Sequence, residues 1–88
     1  MTDTLVIIGW WDNEEDRHIT IQDFVRDGER FIPLFSDVER FKAEATGSGF
    51  EDKGLEIGRN FLRDLLNGDE LLILNPASEA IRLRKADL

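Results

Sequence analysis

Apolar residues recur along this chain in distinct rhythms, and each rhythm points to a different element. LVIIGWW, Leu5 to Trp11, is apolar on both alternations, Leu5, Ile7 and Trp11 against Val6, Ile8 and Trp10. Its β-branched and aromatic content predicts a strand. RHITIQDFV, Arg17 to Val25, alternates, with Ile19 and Ile21 on one face and His18, Thr20 and Gln22 on the other. The polar linker DNEED between them is hairpin-sized, so the two segments predict an antiparallel hairpin. DGE, Asp27 to Glu29, is a second turn signal and leads into a third strand, RFIPLF, Arg30 to Phe35. Pro33 has no N–H to donate, which predicts an edge strand or irregular pairing at that point.

The rhythm then becomes helical. Ser36 and Glu39 stand at capping-box spacing, and Val38, Phe41 and Ala45 fall on one helical face before TGSG stops the helix. GLEI, Gly54 to Ile57, reads as a short strand. RNFLRDLLNG reads as a second helix, with Phe61, Leu62, Leu65 and Leu66 on one side and Gly68 as its stop. ELLILN, Glu70 to Asn75, is a continuous apolar run suited to a central strand covered on both faces. AIRLR, Ala80 to Arg84, predicts a last strand with Ile81 and Leu83 inward and Arg82 and Arg84 outward. The order β-β-β-α-β-α-β-β predicts an α+β domain: one mainly antiparallel mixed sheet of about five to six strands with two helices packed on it.

Composition narrows the classes of function. The 88 residues predict a single domain. The absence of cysteine excludes disulfides, thiolate zinc sites and a cysteine nucleophile. The first apolar run has no basic region ahead of it and is cut by Asp12, and no segment approaches the roughly 20 apolar residues of a membrane span. A cytoplasmic protein is expected. The net charge of −8 argues against nucleic acid and anionic membranes as partners. Asp3, Asp12, Glu14, Glu15 and Asp16 all precede the first basic residue, Arg17. Such a run reads as a solvated face, or as an acidic lip that meets a basic partner.

The segments RFIPLFSDVERFKAEA and LEIGRNFLRDLLNGDELLILNPASEAIRL carry an ordered set of features. These are Pro33, Phe35 and Ser36, then Gly58 and Arg59, then Leu74, Asn75 and Pro76. Over roughly residues 28–84 the chain resembles the N-terminal domain of the bacterial SseB family. Ala77 stands where that family usually has glycine after Asn-Pro. The resemblance implies one SseB N-terminal-like domain over residues 1–88 and implies a fold more than a chemistry, because it brings no catalytic residues with it.

Few residues offer chemistry. His18, the only histidine, sits on the polar face of its strand with no nucleophile motif in the chain, and reads as a surface residue. DNEEDRHITIQD superficially resembles a calcium loop, with oxygens at Asp12, Glu14, Asp16 and Asp23, but Arg17 occupies the position where the turn needs glycine. Gly47 to Gly49 lacks the following helix of a phosphate cradle. No metal, cofactor or catalytic residue is therefore expected. Asn75-Pro76 reads as a structural bend, since Asn bonds its own backbone and Pro fixes φ. The other reading is a ligand groove at Asn75, Pro76 and Ser78. Adjacent strand residues face opposite ways, so Trp10 and Trp11 divide between the two sides of the sheet, and one of them becomes a candidate contact residue.

These features predict a non-catalytic protein-interaction module, homodimeric or bound to a basic partner protein, with Trp10, Trp11, Glu14 and Glu15 at the contact. A small-ligand-binding or regulatory domain with a groove near Asn75 is the first alternative. An acidic inhibitor or immunity-type protein is the second.

Overall fold

The computed structural model describes residues 3–13, 15–16 and 18–88. In chain order the elements are β1 (Thr4–Asn13), β2 (His18–Ile21), β3 (Phe24–Arg26), β4 (Glu29–Phe35), α1 (Val38–Ala45), β5 (Gly54–Gly58), α2 (Arg59–Leu65), β6 (Leu72–Leu74) and β7 (Ile81–Leu83), followed by a 3₁₀ turn, Lys85–Asp87. The α+β class holds, with seven strands in one mixed sheet. The main path runs β2-β1-β4-β6-β7, while β3 pairs with β4 and β5 with β1. Every pairing is antiparallel except β4 with β6.

β1 organises the sheet because both of its faces are apolar. Leu5 and Ile7 enter a cluster with Leu34, Ile57, Leu62 and Leu72 beneath α2. Val6 and Ile8 enter another with Phe35, Phe41 and Ala45 beneath α1. The helices therefore cover opposite faces, the arrangement that a strand with alternating inward side chains on both sides demands. A third small cluster, Phe31, Leu71 and Ile73, joins the second through Phe24. Each large aliphatic side chain buried in this way contributes about 1.5–3 kcal/mol relative to exposure.

Several local expectations are corrected. The alternating segment expected as the single second arm of the first hairpin is two strands, β2 and β3. Gln22 still donates its N–H to the Ile8 carbonyl of β1, at 2.8 Å, and the chain then turns away to pair β3 with β4. Of the two expectations for Pro33, the edge strand is corrected and the irregular pairing holds: β4 lies between β1 and β6 with Pro33 opposite Ile73, while neither the β1 nor the β3 ladder reaches Pro33. Proline fits there because the neighbouring N–H of Ile32 faces β6, where it donates to Leu71 at 2.9 Å. The Pro33 nitrogen faces the other way, where the β1–β4 ladder is only Val6 with Phe35 and Ile7 with Leu34.

The cap of α1 is Asp37 rather than Ser36. Asp37 accepts from the Arg40 N–H at 2.7 Å, while the Ser36 N–H is taken by Asn75. Val38 and Leu65, expected inward, are exposed at the ends of their helices. Ile81 is 41% exposed, because β7 is the terminal strand and only Leu83 reaches the cluster beneath α2.

Two glycines are dictated by packing. A Cβ at Gly9 would collide with the Thr20 carbonyl oxygen, and one at Gly54 with the Phe41 ring. Surface charges add pins. Arg82 grips Glu29 with two bonds, at 2.9 and 2.8 Å, and this holds the Glu29 carboxyl below its ordinary value. Glu70 accepts from the N–H groups of Asn67 and Gly68. Burial alone would raise its pKa, but those donors together with Lys85 outweigh it and lower the value.

Gly9→Ala and Gly54→Ala are each expected to lower stability by about 1–3 kcal/mol, read as a shift in urea midpoint. A carboxylate with a lowered folded-state pKa contributes stability that is complete above its unfolded value and is lost as pH falls through the folded one. Stability is therefore expected to decline as pH drops below the ordinary glutamate value of 4.5. Glu70→Gln should lower stability at neutral pH and make the acid-side decline shallower in urea titrations across that range.

Candidate functional site

Two regions present themselves, the β1–β2 hairpin and the corner after β6. In the hairpin, Trp10 lies opposite Thr20 and Trp11 opposite Ile19, and the register shifts between Trp11 and Asn13. Strand alternation sends the two indoles to opposite faces. Trp11 turns toward α2 and meets Phe61, with ring centroids 6.1 Å apart. Trp10, on the face of β1 that carries Val6 and Ile8, is 40% exposed. The tip is built by Asn13, whose side-chain oxygen accepts from the N–H groups of Glu15 and Asp16 and whose amide donates to the Asp16 carboxylate. Glu15 and Asp16 are exposed there, and Glu14 lies outside the described residues. His18 reaches Asp12 at 3.2 Å, and Thr20 donates to the same carboxylate. Among the described residues no three His, Cys, Asp or Glu side chains converge as a metal site.

At the corner, Asn75 is 1% exposed and adopts a left-handed backbone, φ 50°. It is enclosed by its own bonds. Its N–H donates to the Leu34 carbonyl at 2.7 Å, and its carbonyl accepts from Ser78 and Ala80. The side-chain oxygen accepts from the Ser36 N–H at 3.1 Å. The amide nitrogen donates to Ser36 Oγ and, at 2.8 Å, to Glu79. Both amide hydrogens are thus engaged within the chain.

The turn that follows is held to α1. Glu44 accepts from the Ala77 N–H at 2.7 Å and from Ser78 Oγ at 2.9 Å, while Arg40 donates to Ser78 Oγ and lies 3.6 Å from Glu79. Beside this turn opens a groove of about 300 Å³. Phe24, Phe31, Phe35, Phe50, Pro33 and Pro76 give it a mainly apolar lining, with Arg26, Glu44 and Ser48 as its polar groups. Of the three residues that sequence reasoning assigned to a groove, Pro76 lines it. Asn75 and Ser78 serve to hold the turn.

The groove's other walls were not foreseen. Phe24, the first residue of β3, closes edge-on against Phe50 of the connector between α1 and β5, 5.2 Å between centroids. The available signal was a lone aromatic, Phe50, directly after the polar TGSG connector. An apolar side chain in such a loop has reason to dock on the core.

Asn75→Ala is expected to cost about 2–4 kcal/mol, because it leaves the Ser36 N–H unpaired and puts a Cβ-bearing residue without a compensating bond in the left-handed region. Asn75→Gly removes the same side-chain bonds without that backbone strain. It should recover about 1 kcal/mol of the loss in the same denaturation experiment.

Comparison with curated proteins and with solved structures gave no match. Among the described residues no helix is long and apolar enough to cross a membrane. The family model described as the SseB protein N-terminal domain matches residues 1–88, thereby taking in the first hairpin as well as the Pro33 to Pro76 features. From that full-length match it follows that this chain belongs to the SseB N-terminal domain family.

Proposed function

We propose that this domain is a non-catalytic protein-interaction module, self-associating as a homodimer or binding a basic partner protein through the β1–β2 hairpin. The observation that carries the reading is Trp10. It is a large aromatic left 40% exposed on a strand whose Leu5, Val6, Ile7 and Ile8 are buried. Exposed Trp of this kind supplies much of the energy at protein contacts. The acidic tip, with Glu15 and Asp16 exposed, lies on the same hairpin and carries the sign that would steer a basic surface toward it. The non-catalytic part of the reading draws support from His18, which is exposed and has Asp12 as its neighbour rather than a nucleophile.

A second reading, a small-ligand-binding or regulatory domain, draws on the apolar groove beside Pro76.

Trp10→Ser is expected to fold normally and to weaken association by about 30-fold or more, the scale of a contact hot spot. Analytical ultracentrifugation measures the self-association, and capture from host lysate at low and moderate salt measures a basic partner. A folded Trp10→Ser protein that keeps the wild-type oligomer and the wild-type partners would overturn the reading. Trp11→Ser, which strips Phe61 of its partner ring, is expected instead to lower stability.

A further inference from the structure

We infer that the groove beside Pro76 binds a small apolar monocarboxylate, whose carboxylate pairs with Arg26. This rests on the small-ligand reading and specifies its ligand. The polar groups of the groove carry the argument. Glu44 is occupied by Ala77 and Ser78. Ser48 Oγ donates to the Ala45 carbonyl at 2.6 Å and accepts from the Phe50 N–H at 3.1 Å. Arg26 remains. Its guanidinium carbon lies 5.3 Å from the centre of the Phe31 ring. Among the described residues it forms no ion pair.

Two neighbouring acids are held by other cations, and Asp27, next in the chain, forms no ion pair with Arg26. Glu29 is directly opposite Arg26 in the β3–β4 ladder, but both of its oxygens are held by Arg82. Asp23, on the same hairpin, is taken by Arg30 at 2.9 Å. A guanidinium resting on an aromatic face keeps in-plane N–H groups for a planar anion, and it has donors only. A carboxylate satisfies two of these donors at once.

The rest of the ligand follows from the walls. Phe24, Phe31, Phe35 and Phe50 favour an aliphatic or aromatic body, and about 300 Å³ is the low end of the volume of small-molecule sites. A second negative charge is disfavoured, because the Glu44 carboxylate also lines the groove and the chain as a whole carries −8.

The test is an amide-resolved NMR titration with phenylbutyrate and, separately, with its neutral primary amide. Phenylbutyrate is expected to give saturable shifts centred on Phe24, Arg26, Phe31, Phe50 and Ala77. The neutral amide should bind at the same place about tenfold more weakly, the loss of one charge-assisted contact. Arg26→Gln, an exposed position checked for folding by its spectrum, should bring the acid down to the level of the amide. Equal affinity of acid and amide for the wild-type protein overturns the carboxylate assignment and leaves the small-ligand reading standing. A preference for the acid that survives in Arg26→Gln does the same. Absence of saturable shifts with both probes overturns the assignment together with the small-ligand reading.

Discussion

Much of this domain hangs on the side chain of one buried asparagine. The end of β4, the start of α1 and the exit from β6 meet at Asn75, and its backbone and amide bond to all three: to Leu34, to Ser36 and to the turn that carries Ser78, Glu79 and Ala80. The parallel pairing of β4 with β6 needs such a device. Parallel neighbours cannot be closed by a tight hairpin, so their ends are fixed by something other than a turn. The left-handed backbone at Asn75 is tolerated because asparagine pays less there than most residues and because its bonds over-determine the conformation. The cap of α1 moves to Asp37 for the same reason, since Ser36 is already committed to the latch.

The latch also shapes the surface. By stopping β6 it sends Pro76 and Ala77 toward α1, where Glu44 holds the Ala77 N–H, and this makes one wall of the apolar groove. The facing wall comes from the β3–β4 hairpin through Phe24 and Phe31, and Phe50 folds over from the connector after α1. Three segments distant in sequence thus converge on one concavity. Arg26, at its rim, rests on Phe31 and forms no ion pair among the described residues, and the acid opposite it, Glu29, is held by Arg82.

β1 supplies the second organising constraint. A strand apolar on both alternations needs cover on both sides, and α1 and α2 supply it on opposite faces. That cover ends before the hairpin tip. Trp11 still reaches Phe61 beside α2, whereas Trp10, on the side of α1, stands partly in solvent.

Sequence by itself determined the local elements and the family. Periodicity placed both helices, the apolar runs of β1 and β6 and the turn at Asp27-Gly28, because these depend on residues within one or two turns of each other. The Pro33, Gly58-Arg59 and Asn75-Pro76 features carried the resemblance that the full-length family match bears out. The bend at Asn75-Pro76 was legible too, because left-handed tolerance and a fixed proline φ are properties of those two residues. Tertiary structure decided what depends on partners far apart in the chain. It put Pro33 inside the sheet, since only the neighbouring strands reveal which side of β4 needs an N–H. It split the second strand at Gln22-Asp23, since β1 and β4 compete for its two ends. It assembled the groove and left Arg26 without an ion pair among the described residues, since charge pairing across a sheet depends on register and not on spacing along the sequence.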